Sequence, residues 1–240
     1  MTSTAQLDRL MESASQALAA RDYLACETLC LQALTQARQA RLWAYYARIL
    51  LPLQECRRHR RMIAAEGVIR LGTTTLAAPL PTWLHHVRAG CLVVTPPYAV
   101  QDAQALEQAA RAQQCFIEVL YADHPAAGSW TFRSCASSNS GGGGDIFVNI
   151  PDPPAEWIDR DLPAAATTAF PSAPGSRTPA DWFLDAGEAL GDAALTKVRA
   201  PLGTLERVTE LEDCLAVLTD HEIIHQELVE AATALARLRS

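Results

Sequence analysis

The chain has 240 residues, of which 49% are hydrophobic, and its mean hydropathy is +0.01, so it has the composition of a soluble protein with one large domain or two small ones. Its net charge of −7 excludes a general binder of nucleic acid or anionic membrane, because such binding depends on excess Lys and Arg. The first residues lack a basic segment followed by an apolar one, and no apolar run of about 18 residues occurs, so we expect neither a secretory signal nor a membrane span.

Seven cysteines are scattered along the chain, and none of them forms a Cys-x-x-Cys pair. Cys26 and Cys30 lie four residues apart, at apolar positions of a predicted helix. These positions indicate reduced core thiols in a cytosolic protein, so we expect a cytoplasmic location. A metal or redox centre is the less favoured alternative.

Three or four packed helices are predicted in the first 65 residues, because apolar residues recur at helical spacing in three segments there. The first spans residues 3–19, where Ser3 and Gln6 have the spacing of a capping box. The second begins near Asp22, and the third spans residues 41–65. Their apolar faces contain Leu7, Leu10, Met11, Ala14, Ala17 and Leu18 in the first helix, Cys26, Leu29, Cys30, Ala33, Leu34 and Ala37 in the second, and Leu42, Tyr45, Tyr46, Ile49, Leu50 and Leu53 in the third.

The segment AARDYLACETLCLQAL resembles a tetratricopeptide (TPR) hairpin. In that family an Asp-Tyr pair opens the second helix, a small residue follows three positions after the Tyr, and Ala-Leu closes the helix; the matching residues here are Asp22, Tyr23, Cys26, Ala33 and Leu34. The Trp and Gly that the family carries in its first helix are absent, and so is its closing Pro. The resemblance covers about 35 residues, one repeat length, and implies a helical protein-interaction fold.

A single TPR-like unit does not bury its own apolar face. We therefore expect the block of residues 1–65 to dock onto the remainder of the chain or onto a partner.

Residues 66–150 are predicted to form a small α/β sheet domain. Strands are expected at residues 68–71, 91–95 and 115–121, with a helix from Ala103 to Ala110 between the last two. Strand, helix and strand over about 30 residues form a βαβ unit, so these two strands should be parallel. Residues 130–133 and 146–150 alternate in polarity and predict an antiparallel hairpin at the edge of the sheet.

Residues 151–179 hold seven of the fourteen prolines, which predicts an irregular connection without a core of its own. Trp157, Leu162 and Phe170 are expected to pin it to the domain surface.

The last segment, residues 180–240, is predicted to be helical and to pack on the rest. Thr178, Pro179 and Asp181 form a good helix start, and two further helices are expected over residues 204–218 and 220–238.

The sequence DHEIIHQE at residues 220–227 contains His-Glu-Ile-Ile-His. Two histidines at positions i and i+4 share one helical face and suit two corners of a zinc tetrahedron, while the Glu between them activates water. Over these five residues the chain resembles the zincin metallopeptidases, which implies His221 and His225 as zinc ligands and Glu222 as general base.

The surroundings of this motif favour a different interpretation. A zincin normally supplies a third ligand downstream, and Glu230 lies about 140° around the helix from His225. The third donor would have to come from upstream, from His85, His86, Asp123 or His124. Thr219 and Glu222 have the spacing of a capping box, and Asp220 is an alternative N-cap. The two histidines are then expected at the edge of the apolar stripe, each with one nitrogen in water.

Three other groups of residues are candidates for binding. Gly141–Gly144 lie in a loop that is followed by Asp145 and a strand, so a flexible hairpin is favoured over a phosphate-binding loop. The basic run of residues 57–61 suits a helix end or an acidic partner. Residues after the C-terminal ends of the parallel strands are a usual place for a small ligand. Those residues here are Thr95, Tyr98, Asp123 and His124.

The sequence thus predicts an α+β protein with TPR-like N-terminal helices, a small mixed sheet and a C-terminal helical pair. The expected function is that of a cytosolic, non-catalytic interaction or scaffold protein whose partner is another protein. A zinc-dependent hydrolase using His221, Glu222 and His225 is one alternative, and a small-ligand-binding α/β domain is the other. No catalytic residue, cofactor or metal is assigned outside these alternatives.

Overall fold

The computed structural model of the chain describes residues 4–76, 79–123, 128–134, 146–163 and 178–238. In these ranges it contains eight helices and one six-stranded mixed sheet, which confirms the predicted α+β class. The helices are α1 (Thr4–Ala19), α2 (Tyr23–Gln39), α3 (Trp43–Ala65), α4 (Leu80–Trp83), α5 (Val100–Ala112), α6 (Pro179–Leu195), α7 (Leu205–Val217) and α8 (Glu222–Arg237). The strands are β1 (Val68–Leu71), β2 (Ala89–Val94), β3 (Phe116–Asp123), β4 (Ser129–Arg133), β5 (Phe147–Pro151) and β6 (Asp161–Pro163).

The chain divides into two compact units that differ from the four predicted segments. The helical unit comprises Met1–Arg60 and Ala194–Ser240 and holds α1, α2, α7, α8 and most of α3. The sheet unit comprises Arg61–Ala193 and holds all six strands together with α4, α5 and most of α6. The chain therefore leaves the helical unit after α3 and returns to it with α7.

The first three helices are joined by two turns of the same conformation. Arg21 and Arg41 have φ angles of 62° and 56°, and the residue after each donates its N–H to a carbonyl five positions back. This is the Schellman pattern that ends a helix and reverses the chain. After the first turn, the Asp22 carboxylate caps α2 by accepting from the Ala25 N–H. Local signals in the sequence are thus sufficient to place the α1–α2 hairpin.

The C-terminal helices α7 and α8 cover the face that α2 and α3 cannot bury alone. Glu212 of α7 accepts a hydrogen bond of 2.5 Å from the Tyr46 hydroxyl and pairs with Arg38 at 2.6 Å. Burial raises the pKa of the Glu212 carboxyl, and burial together with the Glu212 charge raises the pKa of Tyr46. The predicted docking of the N-terminal helices is thus satisfied within the chain itself.

The sheet has the strand order β5-β4-β3-β2-β1-β6. Strands β2 and β3 are parallel and are joined by α5, which is the predicted βαβ unit, and β1 adds a second parallel pairing through α4. Strands β4 and β5 form the predicted antiparallel hairpin at one edge. The loop with Gly141–Gly144 between them lies outside the described residues.

Both faces of the sheet are covered by helices. Side chains of α4 and α5 pack on the face formed by alternate residues such as Leu92 and Ile117. On the opposite face, Trp182 of α6 makes an edge-on contact with Trp130 at 5.6 Å and a tilted one with Phe132. Continuous burial of β2 follows from this arrangement, as its apolar run predicted.

The Pro-rich segment is more ordered in its first part than the sequence indicated. Strand β6 pairs antiparallel with β1 and forms the second edge of the sheet. The Asp159 carboxylate accepts from the Thr74 N–H at 2.8 Å, and its own N–H donates to the Leu71 carbonyl at 2.8 Å. Trp157 and Leu162 are buried as predicted, whereas Phe170 lies outside the described residues.

The predicted start of α6 is present, and α7 also begins at a threonine cap. Thr178 and Asp181 cap α6 reciprocally, with the Asp181 N–H donating to the Thr178 hydroxyl at 3.1 Å and the Thr178 N–H donating to the Asp181 carboxylate at 3.0 Å. Thr204 caps α7 through the Arg207 N–H. Within the described ranges, no helix is both long enough and apolar enough to cross a bilayer.

The two Schellman turns generate a test of the helical connections. Arg21→Gly and Arg41→Gly should each raise the free energy of unfolding by about 1 kcal/mol, because glycine adopts a positive φ without steric cost. Urea denaturation followed by circular dichroism measures this change. As a matched control, Arg9→Gly in the middle of α1 should lower stability by about 1 kcal/mol. Destabilisation by all three substitutions would contradict the assigned turns.

Candidate functional site

The turn between α7 and α8 contains the first histidine of the HEIIH motif. His221 is the N-cap of α8, and its Nδ1 atom accepts a hydrogen bond of 3.3 Å from the Ile224 N–H. The predicted N-caps, Thr219 and Asp220, do not have this role. N-caps usually supply a hydroxyl or carboxylate oxygen, whereas here an imidazole nitrogen satisfies the free N–H group. The His221 side chain, which is fully buried, folds back over the first turn of α8.

His225 closes the same turn from inside α8. Its Nε2 atom lies 3.1 Å from the Thr219 carbonyl oxygen, and because a carbonyl only accepts, the imidazole carries its proton on Nε2. Arg57 of α3 donates to the same oxygen at 2.8 Å. The carbonyl of Thr219 thus joins the α7–α8 turn to α3 through two donors.

Both histidines are buried, which corrects the expectation that each keeps one nitrogen in water. His221 and His225 have no exposed surface, and the Arg57 side chain of α3 lies against the turn that precedes α8. Burial, together with the neighbouring Arg57 charge, lowers the pKa of His225 to about 4. His225 is therefore neutral at neutral pH.

The predicted zinc ligands His221 and His225 and the predicted base Glu222 do not face the same side of α8. The Glu222 side chain is exposed and accepts from Gln226 one helical turn later at 2.9 Å, while the two histidines point into the protein. A zincin base needs its carboxylate beside the metal-bound water. One nitrogen of each histidine is already committed to a hydrogen bond. In the part of the chain that the structure describes, no group of three or more His, Cys, Asp or Glu residues is arranged to hold a metal ion.

A buried ion-pair cluster beside this turn was not predicted. Glu27 of α2 accepts from Arg57 at 2.8 Å and from Arg60 at 2.5 Å, and all three side chains are buried. We refer to Glu27, Arg57 and Arg60 as the Glu27 cluster. Its sequence signal is weak but present: Glu27 lies in the otherwise apolar buried stripe of α2.

The basic run of residues 57–61 is not a continuous cationic surface. Helical geometry directs Arg57 and Arg60 inward to Glu27, while Arg61 pairs with Glu188. Arg58 pairs with Glu55 at the surface. Most of this positive charge is thus matched by acidic side chains of the same chain, which favours a structural role for the run over an acidic-partner site.

Two of the candidate small-ligand residues, Thr95 and Asp123, lie at the C-terminal ends of the parallel strands and are hydrogen-bonded to neighbouring residues that were not candidates. Thr95 and Thr73 are both buried and are joined by three hydrogen bonds of 2.9–3.0 Å. The Asp123 carboxylate pairs with Arg133 and accepts from the Tyr121 hydroxyl at 3.2 Å. Tyr98 follows the same edge, and His124 lies outside the described residues.

The strand order also argues against a ligand crevice at this edge. Crevices in open α/β sheets form where the order of the parallel strands reverses direction. Here β1, β2 and β3 follow one another in a single direction, and α4 and α5 lie on the same face. His85 and His86, which were candidate third zinc donors, are exposed and precede β2 at the opposite end of the strands.

Comparisons with known proteins identify no family for the chain. No protein-family model, no curated protein and no solved structure matches the chain.

The Glu27 cluster generates a stability prediction. Glu27→Gln should lower the free energy of unfolding by about 3–5 kcal/mol, because it leaves two buried guanidinium groups without a counter-charge. Urea denaturation measures the loss. The matched control is Glu55→Gln, which removes the exposed partner of Arg58 and should cost less than about 1 kcal/mol. Equal effects of the two substitutions would contradict the assigned role of the cluster.

The low pKa of His225 generates a pH prediction. The unfolded imidazole binds a proton below about pH 6.5 but the folded one only near pH 4, so His225 should contribute to loss of stability as the pH falls between these values. The contribution amounts to roughly 3 kcal/mol. Urea midpoints measured from pH 7 to pH 4 give the pH dependence.

The control for this experiment is His225→Gln, which keeps a side-chain donor for the Thr219 carbonyl but does not titrate. The raised pKa of Glu212 acts in the opposite direction and is common to both proteins, so the difference between them isolates His225. An unchanged pH dependence in the variant would show that His225 does not titrate on unfolding.

Proposed function

We propose that the chain is a non-catalytic protein-interaction module whose partner binds the helical unit. The supporting observation is a set of three exposed leucines, of which Leu202 and Leu205 lie within two residues of Gly203 in the chain and Leu238 approaches Gly203 with its side chain. Leu202 is 53% exposed, Leu205 is 38% exposed and Leu238 is 74% exposed. We call these three side chains the Gly203 patch.

The local backbone brings the members of the Gly203 patch together. Gly203 has a φ of +84°, which L-amino acids rarely adopt, and a Cβ atom at this position would lie 2.7 Å from the Leu238 Cδ1 atom. The Leu238 side chain from the end of α8 therefore approaches the Leu202–Leu205 segment closely only because residue 203 has no side chain. A cluster of apolar side chains, unlike a single exposed leucine, is typical of an interaction surface.

The charge distribution supports an apolar mode of binding for this unit. The helical unit contains thirteen basic and thirteen acidic residues, while the sheet unit contains seven and fourteen and so carries the whole net charge of −7. A partner of the helical unit is thus not selected by net charge. The TPR resemblance adds support, since Tyr23, Cys26, Ala33 and Leu34 all lie on the buried face of α2.

The zinc-dependent hydrolase and the small-ligand domain are less well supported. The first requires Glu222 beside the histidines, and Glu222 is exposed. The second requires free polar groups at the strand ends, where Thr95 and Asp123 are already hydrogen-bonded to neighbouring side chains. The interaction module requires neither condition.

The experiment that tests the proposal is a quantitative capture of partners from cell lysate. The wild-type chain should retain a protein at near-stoichiometric level, and Leu202→Gln with Leu238→Gln should weaken this binding about 30-fold. The estimate assigns roughly 1 kcal/mol to each leucine, because about half of each side chain is available to be buried.

The matched control is Leu31→Gln with Leu51→Gln, which removes two exposed leucines from α2 and α3. This variant should keep the partner. Absence of any near-stoichiometric partner, or equal loss in both double variants, would overturn the proposal.

A further inference from the structure

The two edges of the sheet differ in how they are protected from pairing with another chain. Strand β6 forms one edge with only three residues, and its Asp161 carboxylate accepts from Arg70 and from the Trp83 indole. Short strands and charged side chains are common devices that keep an edge from pairing. Strand β5 forms the other edge over the five residues Phe147–Pro151, none of which is charged. Apart from the proline at its end, β5 therefore lacks the protection that β6 has.

Two residues of β5 direct their backbone groups away from the sheet. The Ser134 N–H donates to the Ile146 carbonyl at 3.1 Å, so Ile146 bonds towards β4. Because these directions alternate along an antiparallel strand, the N–H and C=O groups of Phe147 and Asn149 point outward. Among the described residues, no strand pairs with these outward groups. We call the backbone groups of Phe147 and Asn149 the open edge.

The C-terminal end of β5 is closed to a further strand. Pro151 has no N–H, and its carbonyl accepts from the Trp182 indole of α6 at 3.2 Å. Proline is tolerated in an edge strand where its nitrogen faces away from the neighbouring strand, as it does here. The open edge thus presents two donors and two acceptors, and the Phe147 side chain beside it is 58% exposed.

Partly buried apolar side chains lie on the face of β5 that α6 covers. Val148 and Ile150 are opposite Phe132 and Trp130 of β4, and both of these rings contact Trp182. Val148 and Ile150 keep part of their surface exposed, because no described strand lies beside them on the outer side. An added strand with apolar residues at the matching positions would cover this surface, as cross-strand neighbours do.

The open edge lies in the acidic part of the chain. Residues 61–144 contain five acidic and five basic residues, whereas residues 145–193 contain nine acidic and two basic ones. The second stretch includes β5, β6 and most of α6, and it carries the whole net charge of −7. Asp152, which directly follows β5, is exposed. This charge favours a basic partner over an acidic one, and also over a second copy, which would bring two acidic stretches together.

We propose that the open edge binds an extended peptide segment of another protein, which adds a strand antiparallel to β5 and carries basic residues at its N-terminal end. In such strand addition, main-chain hydrogen bonds supply affinity and alternate side chains supply specificity. Antiparallel pairing places the N-terminal end of the segment beside Asp152. This surface belongs to the sheet unit and is independent of the Gly203 patch.

The register of the bound segment follows from the outward groups. Two of its residues, separated by one, exchange N–H···O=C bonds with Phe147 and Asn149, which allows four hydrogen bonds. The residue between them lies opposite Val148 and faces the side covered by α6, so it is apolar. The two bonded residues face the exposed side, next to the Phe147 ring, where polar β-branched residues fit.

The test uses a fluorescent form of the peptide acetyl-Arg-Lys-Val-Thr-Val-Thr-Val-amide and the full chain. In the proposed register the two threonines bond to Asn149 and Phe147, and the valines face the side of Val148. We expect saturable binding by fluorescence anisotropy, together with shifts of the Phe147 and Asn149 amide signals in ¹⁵N-resolved nuclear magnetic resonance spectra. Lack of binding at about 1 mM protein would overturn the proposal.

Two N-methylated forms of this peptide separate edge pairing from other kinds of binding. Methylation of both threonine N–H groups removes the donors to β5 and should weaken binding at least about tenfold. Methylation of the last two valine N–H groups, which point away from β5, should change the affinity less than about threefold. Equal effects of the two modifications would contradict strand addition.

The charge and direction of the segment are tested with two more peptides. Replacing Arg-Lys by Glu-Glu should weaken binding about tenfold at low salt, and added salt should reduce the difference because it screens exposed charges. Moving Arg-Lys to the C-terminal end should also weaken binding. Equal affinity of the basic and acidic peptides would overturn the assigned partner chemistry.

Variants of the chain locate the site. Asn149→Pro removes an outward N–H at a position where an edge strand tolerates proline, and it should weaken binding at least about tenfold. The matched control Asn149→Val also loses the side-chain bond from the Thr131 hydroxyl but keeps the N–H, so it should still bind. Asp152→Asn should weaken binding about threefold, whereas Glu66→Gln, the same charge change before β1, should not.

Circular dichroism shows whether Asn149→Pro is folded, and the N-methylated peptides decide the question with the wild-type chain if it is not. Wild-type affinity of folded Asn149→Pro would overturn the proposal. A wild-type dimer in sedimentation experiments that this substitution dissociates would also overturn it, because a second copy would then occupy the open edge.

Discussion

The helical unit depends on the burial of one carboxylate, Glu27, between two guanidinium groups. A buried charge without a partner is so costly that Arg57 and Arg60 must stay where they reach it, which fixes how α3 lies on α2. Arg57 also donates to the Thr219 carbonyl, so the same side chain sets the position of the α7–α8 turn. His225 completes that turn. His225 of the HEIIH motif is therefore connected to Glu27 through the Thr219 carbonyl and Arg57.

The elements determined by local interactions could be predicted from the sequence. Asp22, Thr178 and Thr204 cap helices through neighbours three residues away, and the alternating and continuous apolar runs identified β2 to β5. The α+β class follows from these elements. The two buried histidines were missed, because their burial depends on an arginine more than 160 residues away in the sequence.

Strand β6 and the Glu27 cluster were missed for the same physical reason. Strand β6 has only three residues, of which one is charged and one is proline, so its sequence does not predict a strand. It forms because it pairs with the edge of β1, which would otherwise be unpaired. From the sequence alone, Glu27 would be assigned to the surface, because an unpaired glutamate is rarely buried. Its burial depends on the arginines of α3, which pair with it only in the folded structure. In both cases the deciding partner lies far away in the chain, where a pattern within one segment carries no information.

The return of the chain to the helical unit after Ala193 has a consequence for synthesis on the ribosome. Helices α1 to α3 emerge first, but α7 and α8, which cover them, are made only after the whole sheet unit. The six strands that the structure describes are complete at Pro163, and α6 ends at Leu195, so the sheet unit is able to fold before α7 and α8 are made to cover α1 to α3. The nascent N-terminal helices thus expose apolar surface for the time needed to translate more than 130 residues, and chaperones have access to that surface during this time.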